Sequence, residues 1–354
     1  MTEIRPLLPD DLDAAARVFA DAYPGLKIVT KEDRARLSER LLKLHEEEPT
    51  AQFHGLFRDG ELQGMMCFYD FAMNFLQVRV PAGGIGQVAV ALPHKKEHVA
   101  KEMMLYFLRH YRDRGTPLAA LYPFRPDFYR RMGFGYGTKM NQYRVKPSAL
   151  PKGPSKAHIR YLSEADRQAL VACYQRYAAV THGMMDKAER EVKRLFAPQH
   201  RIIGYEKDGA IQGYLVLVFQ QGETFILNDI EIKEFIYENP QALSELMTFL
   251  HTQADQIRHI IVNTQDDYLH CLLDDPRNDS HRLIPDVYHE TNAQGVGLMY
   301  RVIDTPRLFN LLRERDFGGQ TCTLELNIAD SFLPENAGNI LLRFEDGRLR
   351  QVQG

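Results

Sequence analysis

Apolar positions recur every three to four residues between residues 95 and 114 and form one stripe of Val99, Met103, Met104, Phe107, Leu108 and Tyr111. This spacing predicts an amphipathic helix that packs on a sheet. Short apolar runs at residues 88–92 and 118–122 flank it and predict buried strands. A short helix is expected after Pro126, and a further strand over residues 136–145. The order predicts a mixed α/β layer.

The same pattern occurs twice along the chain. IRPL at residues 4–7, followed by Asp11 and a helix, recurs as IRYL at residues 159–162, followed by Asp166 and a helix. DGELQG at residues 59–64 recurs as DGAIQG at residues 208–213. Asp-Gly between two β-rich runs predicts a tight hairpin turn in each copy. Residues 1–150 and 157–280 are therefore interpreted as two copies of one fold, joined by a linker at 151–156.

Residues 281–354 follow the second copy as a separate α+β segment. Strands are expected at residues 296–302, near 321–328 and at 340–344, with a helix at 306–313. The strand at 340–344 is apolar and has no obvious partner, so we expect this C-terminal domain to be incomplete. The predicted fold class is thus α/β (α+β), with two tandem mixed-sheet domains followed by a small α+β domain.

Charge and composition exclude several classes of function. The formal net charge of -3 and pI near 6.5, without long runs of like charge, argue against a nucleic-acid-binding protein. No apolar run is long enough to span a bilayer, and the N-terminus does not resemble a secretory signal. Four separated cysteines form no CxxC pair, which argues against disulfides and a zinc ribbon. A cytoplasmic protein without a membrane partner is expected.

The candidate site is the basic turn PHKKEHVA at residues 93–100, where a predicted strand meets the long helix. Free N–H groups at a helix start attract phosphate, and Lys95 and Lys96 add positive charge. The turn therefore predicts an anion site, although a solvated helix start with a few lysines remains the plain structural alternative.

Two other motifs in this region match patterns of known binding or catalytic sites. GIGQVA at residues 84–89 matches a dinucleotide pattern, but it precedes a strand and does not link a strand to a helix. Its glycines more simply permit a twist or bulge. HKKEH at residues 94–98 matches an inverted zinc-peptidase pattern. Lys95 and Lys96 would oppose a dication there, so no metal is predicted.

PDFYRRMGF at residues 126–134 predicts a short helix that starts at a proline and ends at a glycine. Tyr129 lies one turn before Gly133, where a tyrosine ring often serves packing alone. Together, the VAVA strand, the basic turn, the long helix, the strand ending in LYP and FYRRMGF resemble the acetyl-CoA-binding core of the GCN5-related N-acetyltransferases (GNATs). The doubled fold with a third α+β domain is similar to the Eis (enhanced intracellular survival) family of those enzymes, whose third domain resembles a sterol carrier protein.

The resemblance implies an acetyl-CoA-dependent N-acetyltransferase. In the family motif R/Q-x-x-G-x-G/A, whose amides cradle the CoA pyrophosphate, Lys95 takes the first position, His98 the glycine and Ala100 the last. Because His98 replaces a glycine, binding is expected to depend on Lys95 and Lys96 as point charges. The implied donor-binding residues are Val88, Ala89, Val90, Lys95, Lys96, Glu97, His98, Val99 and Ala100.

The resemblance also implies catalytic and acceptor residues. Tyr129 matches the tyrosine that protonates the departing CoA thiolate, and Tyr122 and Phe124 fall where the family lines its acceptor pocket. The acceptor is expected to be a small-molecule amine of aminoglycoside, polyamine or lysine type, and the assembly a homo-oligomer, a hexamer by resemblance. The family uses its C-terminal carboxylate as base; the sequence here, which ends at Gly354, names no base.

The second copy has EFIYENP at residues 234–240 where the basic turn should lie, and we interpret that copy as structural. The alternative function is a non-catalytic acyl-CoA or lipid-binding protein on a degenerate acetyltransferase fold.

Overall fold

The structure is a computed structural model and describes residues 1–354 apart from the side chain of Glu223. The helices are α1 (Leu12–Ala22), α2 (Lys31–Glu47), α3 (Val99–Asp113), α4 (Pro126–Arg130), α5 (Arg167–Val180), α6 (Glu189–Leu195), α7 (Pro240–His251) and α8 (Thr305–Leu311). The strands of the first half are β1 (Thr2–Pro6), β2 (Ala51–Arg58), β3 (Glu61–Phe75), β4 (Val78–Val90), β5 (Leu118–Leu121), β6 (Gly135–Tyr136), β7 (Met140–Val145), β8 (Ile159–Leu162) and β9 (Arg201–Lys207). Those of the second half are β10 (Ala210–Thr224), β11 (Leu227–Tyr237), β12 (Ile257–Thr264), β13 (Leu283–Ile284), β14 (Tyr288–His289), β15 (Asn292–Gly295), β16 (Met299–Val302), β17 (Cys322–Ile328), β18 (Gly338–Glu345) and β19 (Arg348–Gln353).

The first of two compact units comprises Met1–Tyr136, His182–Asp186 and Leu298–Gly354. Its seven-stranded sheet has the order β1-β2-β3-β4-β5-β16-β6. Strands β1 to β4 pair antiparallel, whereas β4 and β5 pair parallel. A parallel pair needs a crossover connection, which α3 supplies.

Helix α3 packs on this sheet through the predicted stripe, all six residues of which are buried. That prediction is confirmed. Close packing requires glycine in the strand below, because a Cβ on Gly83 would lie 2.5 Å from the Tyr111 ring. The helix begins at Val99 and not at Lys95, since Lys96 and His98 adopt left-handed backbone angles that cannot continue a helix.

The second unit comprises Gly137–Thr181 and Lys187–Gly297, and its sheet has the order β15-β7-β12-β11-β10-β9-β8. It repeats the scheme of the first unit, with antiparallel strands β8 to β11 and a parallel pair β11/β12 that α7 connects. The Asp-Gly pairs close the β2–β3 and β9–β10 hairpins, as the sequence predicts. Among the described residues, no helix combines the length and apolar character needed to cross a bilayer.

The unit boundaries differ from those expected at residues 150 and 280. The expected strand at 136–145 is two strands, because β6 joins the first sheet and β7 joins the second. The expected third domain does not form a separate unit, since β16 inserts between β5 and β6 and so ties residues 298–354 to the first unit. The sequence gives no sign of these pairings, because strand partners distant along the chain leave no local pattern.

Strand β18 contains the apolar run for which the sequence shows no obvious partner, and in the structure this run has two partners. It pairs antiparallel with β17 on one side and with β19 on the other. Leu342 and Phe344 are buried in the small core of this three-stranded sheet.

A buried ion pair attaches the segment after β17 to the first sheet. The Arg301 side chain is 2% exposed, and its Nη2 lies 2.6 Å from both carboxylate oxygens of Asp330. Asp330 also accepts hydrogen bonds from the Leu333 N–H and the Asn336 side chain. Hydrogen bonding and the guanidinium counteract the effect of burial, so the pKa of Asp330 lies below its ordinary value.

A second buried polar group is His54 on β2. We expect its protonation to make the stability of the protein depend on pH. His54 is 1% exposed and stacks on Phe68 at 4.2 Å between ring centroids, and its Nδ1 has no partner among the described residues. Burial, with a smaller contribution from the charge of His110, lowers the pKa of His54 to about 4.

Because the unfolded chain binds this proton near pH 6.5 and the folded chain only near pH 4, stability falls as pH drops through that window. The shift corresponds to about 3 kcal/mol at full protonation. His54→Phe should therefore lose less stability between pH 7 and pH 4 than the wild type in urea titrations. An identical pH dependence in both proteins would contradict this origin, and the exposed His281→Gln variant serves as control.

Candidate active site

The site begins where β4 separates from β5. The parallel pairing runs from Ala82 to Ile85 of β4, but β4 continues along β3 as far as Val90. Between Gly86 and Ala89 the β3–β4 register shifts, so that Gln87 and Val88 lie opposite a single β3 residue. This is a β-bulge, and the φ of 52° at Gln87 marks it. The bulged end of β4 therefore has an edge that the sheet does not cover.

The basic turn follows this strand and ends at the start of α3. Lys96 and His98 have φ values of 71° and 65°, and His98 is the N-cap residue of α3. Within the described part of the chain no side chain caps the first amides of this helix. Free N–H groups and the helix dipole make such a terminus attractive to an anion.

A cavity of about 880 Å³ lies between the bulged strand, the turn and helix α4. Its lining residues are Ala22, Val88, Val90, His94, Lys95, Lys96, His98, Val99, Ala100, Lys101, Phe124, Arg125, Phe128, Tyr129, Arg131, Met132, Ser331 and Phe332. Five of them are lysine or arginine, and none carries a carboxylate. Arg125 and Arg131 each form an ion pair with Asp127 at 2.7 Å, so the lysines supply the cationic groups of the turn.

The structure brings nine of the twelve predicted site residues to this cavity. The other three, Ala89, Glu97 and Tyr122, do not line it. Ala89 is buried in the core beside α1, and Tyr122 is 79% exposed. Glu97 lies 2.9 Å from His94 Nδ1 and 3.8 Å from Arg58. Its carboxylate therefore pairs with these two side chains and does not line the cavity.

The sequence did not predict some of the residues that line the cavity. Phe128 precedes Tyr129 on α4, and Arg131 and Met132 follow directly after this helix, so all three lie within the motif that identified Tyr129 and could have been included with it. Ser331 and Phe332 lie about 200 residues from Tyr129 along the chain, and the sequence offers no signal that brings them together.

Tyr129 lies on α4 and is 7% exposed. Its ring contacts Phe128 and Phe134, with centroid distances of 5.3 and 6.1 Å. Burial, with a smaller effect of the nearby Tyr23, raises the pKa of Tyr129 to about 12. The hydroxyl is therefore protonated at neutral pH, and Tyr129 is one of the residues that line the cavity.

The zinc and dinucleotide patterns do not have the geometry that their functions need. His94 closes a short 3₁₀ turn and His98 precedes α3, so the two imidazoles do not share one helix face. No group of three or more metal-ligating side chains is found among the described residues. The glycines of GIGQVA lie within β4, where Cβ atoms on Gly84 and Gly86 would approach the rings of Phe71 and Tyr69.

The equivalent region of the second unit is built differently. Helix α7 follows β11 as α3 follows β4, but the Asn239 side chain caps α7 by accepting from the Ala242 N–H at 2.9 Å. Glu238 precedes this cap and pairs with Arg176 at 2.7 Å. The cavity here is only about 100 Å³ and is lined in part by Phe235 and Tyr237. A capped, acidic helix start beside a small cavity disfavours an anionic ligand.

Comparison with known proteins gives matches to two family models. Residues 3–137 and residues 157–302 each match a model described as an acetyltransferase (GNAT) domain. Over 153 residues the chain is 33% identical to an uncharacterized N-acetyltransferase of Streptomyces avermitilis, which covers 41% of this chain and 36% of that protein. Over 94 residues it is 31% identical to N-acetyltransferase Eis of Mycobacterium tuberculosis, or 25% of this chain and 23% of that protein. These matches thus span about a third or less of the relatives' length.

Solved structures match over the whole chain. A GCN5-related N-acetyltransferase from Anabaena variabilis superposes with a TM-score of 0.81 at 17% identity and covers 100% of this chain and 85% of that one. Eis1 from Mycobacterium abscessus gives a TM-score of 0.75 at 20% identity with the same coverage. At these identities the likeness shows the fold, which is the tandem arrangement of two mixed-sheet units.

Proposed function

The chain belongs to the GNAT acetyltransferases with an Eis-like tandem of two GNAT domains, and on this premise we propose that its first unit transfers an acetyl group from acetyl-CoA to a primary amine. The acceptor class is an amine of aminoglycoside, polyamine or lysine type. The cytoplasmic location and the homo-oligomer remain predictions.

One observation carries the proposal: a single cavity is lined by residues of the open edge of β4, by the uncapped cationic turn and by Tyr129. A lining with five cationic side chains and no carboxylate favours a polyanionic ligand. The diphosphate of acetyl-CoA would lie against the first amides of α3, with Lys95, Lys96 and Lys101 as point charges. Val88 and Val90 would then flank the pantetheine arm.

Acetyl-CoA supplies the thioester: the amine nitrogen forms the new C–N bond, the C–S bond breaks, and the proton that the amine loses passes through solvent to the CoA thiolate, so the products are the amide and the CoA thiol. Tyr129 would hydrogen-bond to the departing sulfur. A phenol with a pKa of about 12 transfers its proton to a thiolate of pKa about 8.5 only at a cost of about 5 kcal/mol. Tyr129 therefore stabilises the leaving thiolate chiefly as a neutral hydrogen-bond donor, and the phenolate does not accumulate.

The test is release of CoA thiol by the full chain with a panel of aminoglycosides, polyamines and lysine peptides. Reactions without acceptor define the background, which matters because the free cysteines Cys271 and Cys322 are exposed and would also be titrated by a thiol reagent. Acetyl-CoA-dependent release with at least one amine is expected. Binding of acetyl-CoA by calorimetry without release with any amine would support the non-catalytic alternative and contradict the proposed activity.

His98 provides a prediction about donor affinity. A side chain at φ 65° costs about 1–2 kcal/mol, and glycine adopts this angle without that cost. We expect His98→Gly to bind acetyl-CoA several-fold more tightly, because the backbone can approach the diphosphate more closely. Calorimetric titration measures the change, and His281→Gly, at the exposed left-handed residue His281 of the second unit, is the control. Equal or weaker binding by His98→Gly would show that the imidazole itself contributes to the donor site.

A further inference from the structure

Tyr23 lies at the end of α1 and belongs to none of the motifs in the sequence. Its ring packs on Phe19 with a centroid distance of 4.7 Å. Its hydroxyl donates a hydrogen bond to the carbonyl oxygen of Val88 at 2.9 Å, a contact between residues 65 positions apart. A side chain from the α1 face of the sheet thus reaches the bulged strand of the candidate site.

The hydrogen bond from Tyr23 is made to the part of β4 where regular pairing with the neighbouring strands is interrupted. The β3–β4 register is interrupted between Gly86 and Ala89, and the parallel pairing with β5 has already ended at Ile85. Because a peptide group is planar, fixing the Val88 carbonyl also fixes the N–H of Ala89. A hydroxyl bonded at this carbonyl therefore limits rotation of the Val88–Ala89 peptide plane.

Tyr23 and Tyr129 approach this strand from opposite faces of the sheet. Tyr23 packs with the core beside α1 and α2, whereas Tyr129 packs with the core beneath α3. Burial raises the pKa of both phenols, so both remain neutral donors. Tyr129 lines the cavity itself, and Ala22 places the end of α1 on the same cavity.

We propose that Tyr23 is a positioning residue for acetyl transfer: its hydroxyl holds the Val88 peptide of the bulge in the orientation that presents the open edge of β4 to the thioester. The inference rests on the proposed function. Small displacements of a reacting group can cost up to about 100-fold in rate. Loss of one hydrogen bond that holds the strand is expected to cost about 10-fold, since the bulge itself remains.

Tyr23→Phe separates this role from packing, because it keeps the ring on Phe19 and removes only the hydroxyl. We expect kcat to fall about 10-fold, while the Kd for acetyl-CoA stays within about two-fold and the melting temperature is unchanged. In the free protein, hydrogen–deuterium exchange of the peptide covering residues 86–91 should become faster. Tyr106→Phe removes the hydroxyl of a half-buried tyrosine on α3 outside the cavity lining and should change none of these quantities.

An unchanged kcat in Tyr23→Phe, or unchanged exchange over residues 86–91, would overturn the inference. A parallel loss of kcat, acetyl-CoA binding and melting temperature would also overturn it, since that pattern belongs to a purely structural residue. If the wild type acetylates no amine, that result contradicts the proposed function and not the role of Tyr23. In that case the exchange measurement, which needs no turnover, still decides whether the hydroxyl holds the bulge.

Discussion

Tyr129→Phe is expected to lower kcat for acetyl transfer about 100-fold, with the KM for acetyl-CoA within about two-fold of the wild-type value. The substitution removes the hydrogen-bond donor that meets the departing sulfur, and loss of one donor to a developing negative charge costs about 100-fold or more in kcat. The ring contacts with Phe128 and Phe134 are kept, so folding should not suffer.

Steady-state release of CoA thiol measures this change. Tyr136→Phe is the matched control, because Tyr136 follows closely in the chain, is 56% exposed and does not line the cavity. Full activity in Tyr129→Phe would show that the Tyr129 hydroxyl takes no part in the reaction. A rise in KM with an unchanged kcat would assign it to donor binding alone.

Asp330→Ala is expected to destabilise the protein by about 3–5 kcal/mol, because it leaves the Arg301 guanidinium buried without its counter-charge. It also removes the acceptor for the Leu333 N–H. Since the next residues, Ser331 and Phe332, line the cavity, weaker binding of acetyl-CoA should accompany the loss of stability.

Urea denaturation measures this effect. Glu335→Ala is the control from the same segment, since its ion pair with Arg109 is largely exposed and should contribute no more than about 1 kcal/mol. Adding Arg301→Met to Asp330→Ala should recover part of the stability, because no unpaired charge then remains buried. Equal losses for Asp330→Ala and Glu335→Ala would contradict a special role for the buried pair.

Local patterns in the sequence predicted some elements of the first unit, α3 and the β2–β3 hairpin among them, but not α2. The stripe from Val99 to Tyr111 identified the buried face of α3, because its spacing reports directly on which side chains face a sheet. The Asp-Gly turns identified equivalent hairpins in both units, since that dipeptide favours positive φ; Asp59 and Asp208 have φ values of 49° and 53°.

Pairings between distant strands could not be predicted in this way. Insertion of β16 between β5 and β6 and the placement of β7 in the second sheet depend on which edges are free once the chain has folded. For the same reason the sequence placed a domain boundary at residue 280 and left β18 without its two partners. Register and topology are properties of the whole sheet, not of a single segment.

The same distinction between local patterns and long-range pairings applies to the candidate site. The basic turn and Tyr129 are local motifs, and the structure brings both to one cavity. Tyr23 and Phe332 reach the site from other parts of the chain, through a hydrogen bond to Val88 and through the segment anchored by Asp330. Ala89 was included with its strand neighbours, but alternate residues of a strand face opposite sides, and Ala89 faces α1.

The most direct test is a crystal structure of the full chain with CoA. We predict the diphosphate on the first amides of α3, within reach of Lys95 and Lys96, and the thiol beside Val88 and the Tyr129 hydroxyl. A complex with this turn vacant and CoA bound elsewhere, in the second unit for example, would contradict the assignment of the donor site and the chemistry derived from it.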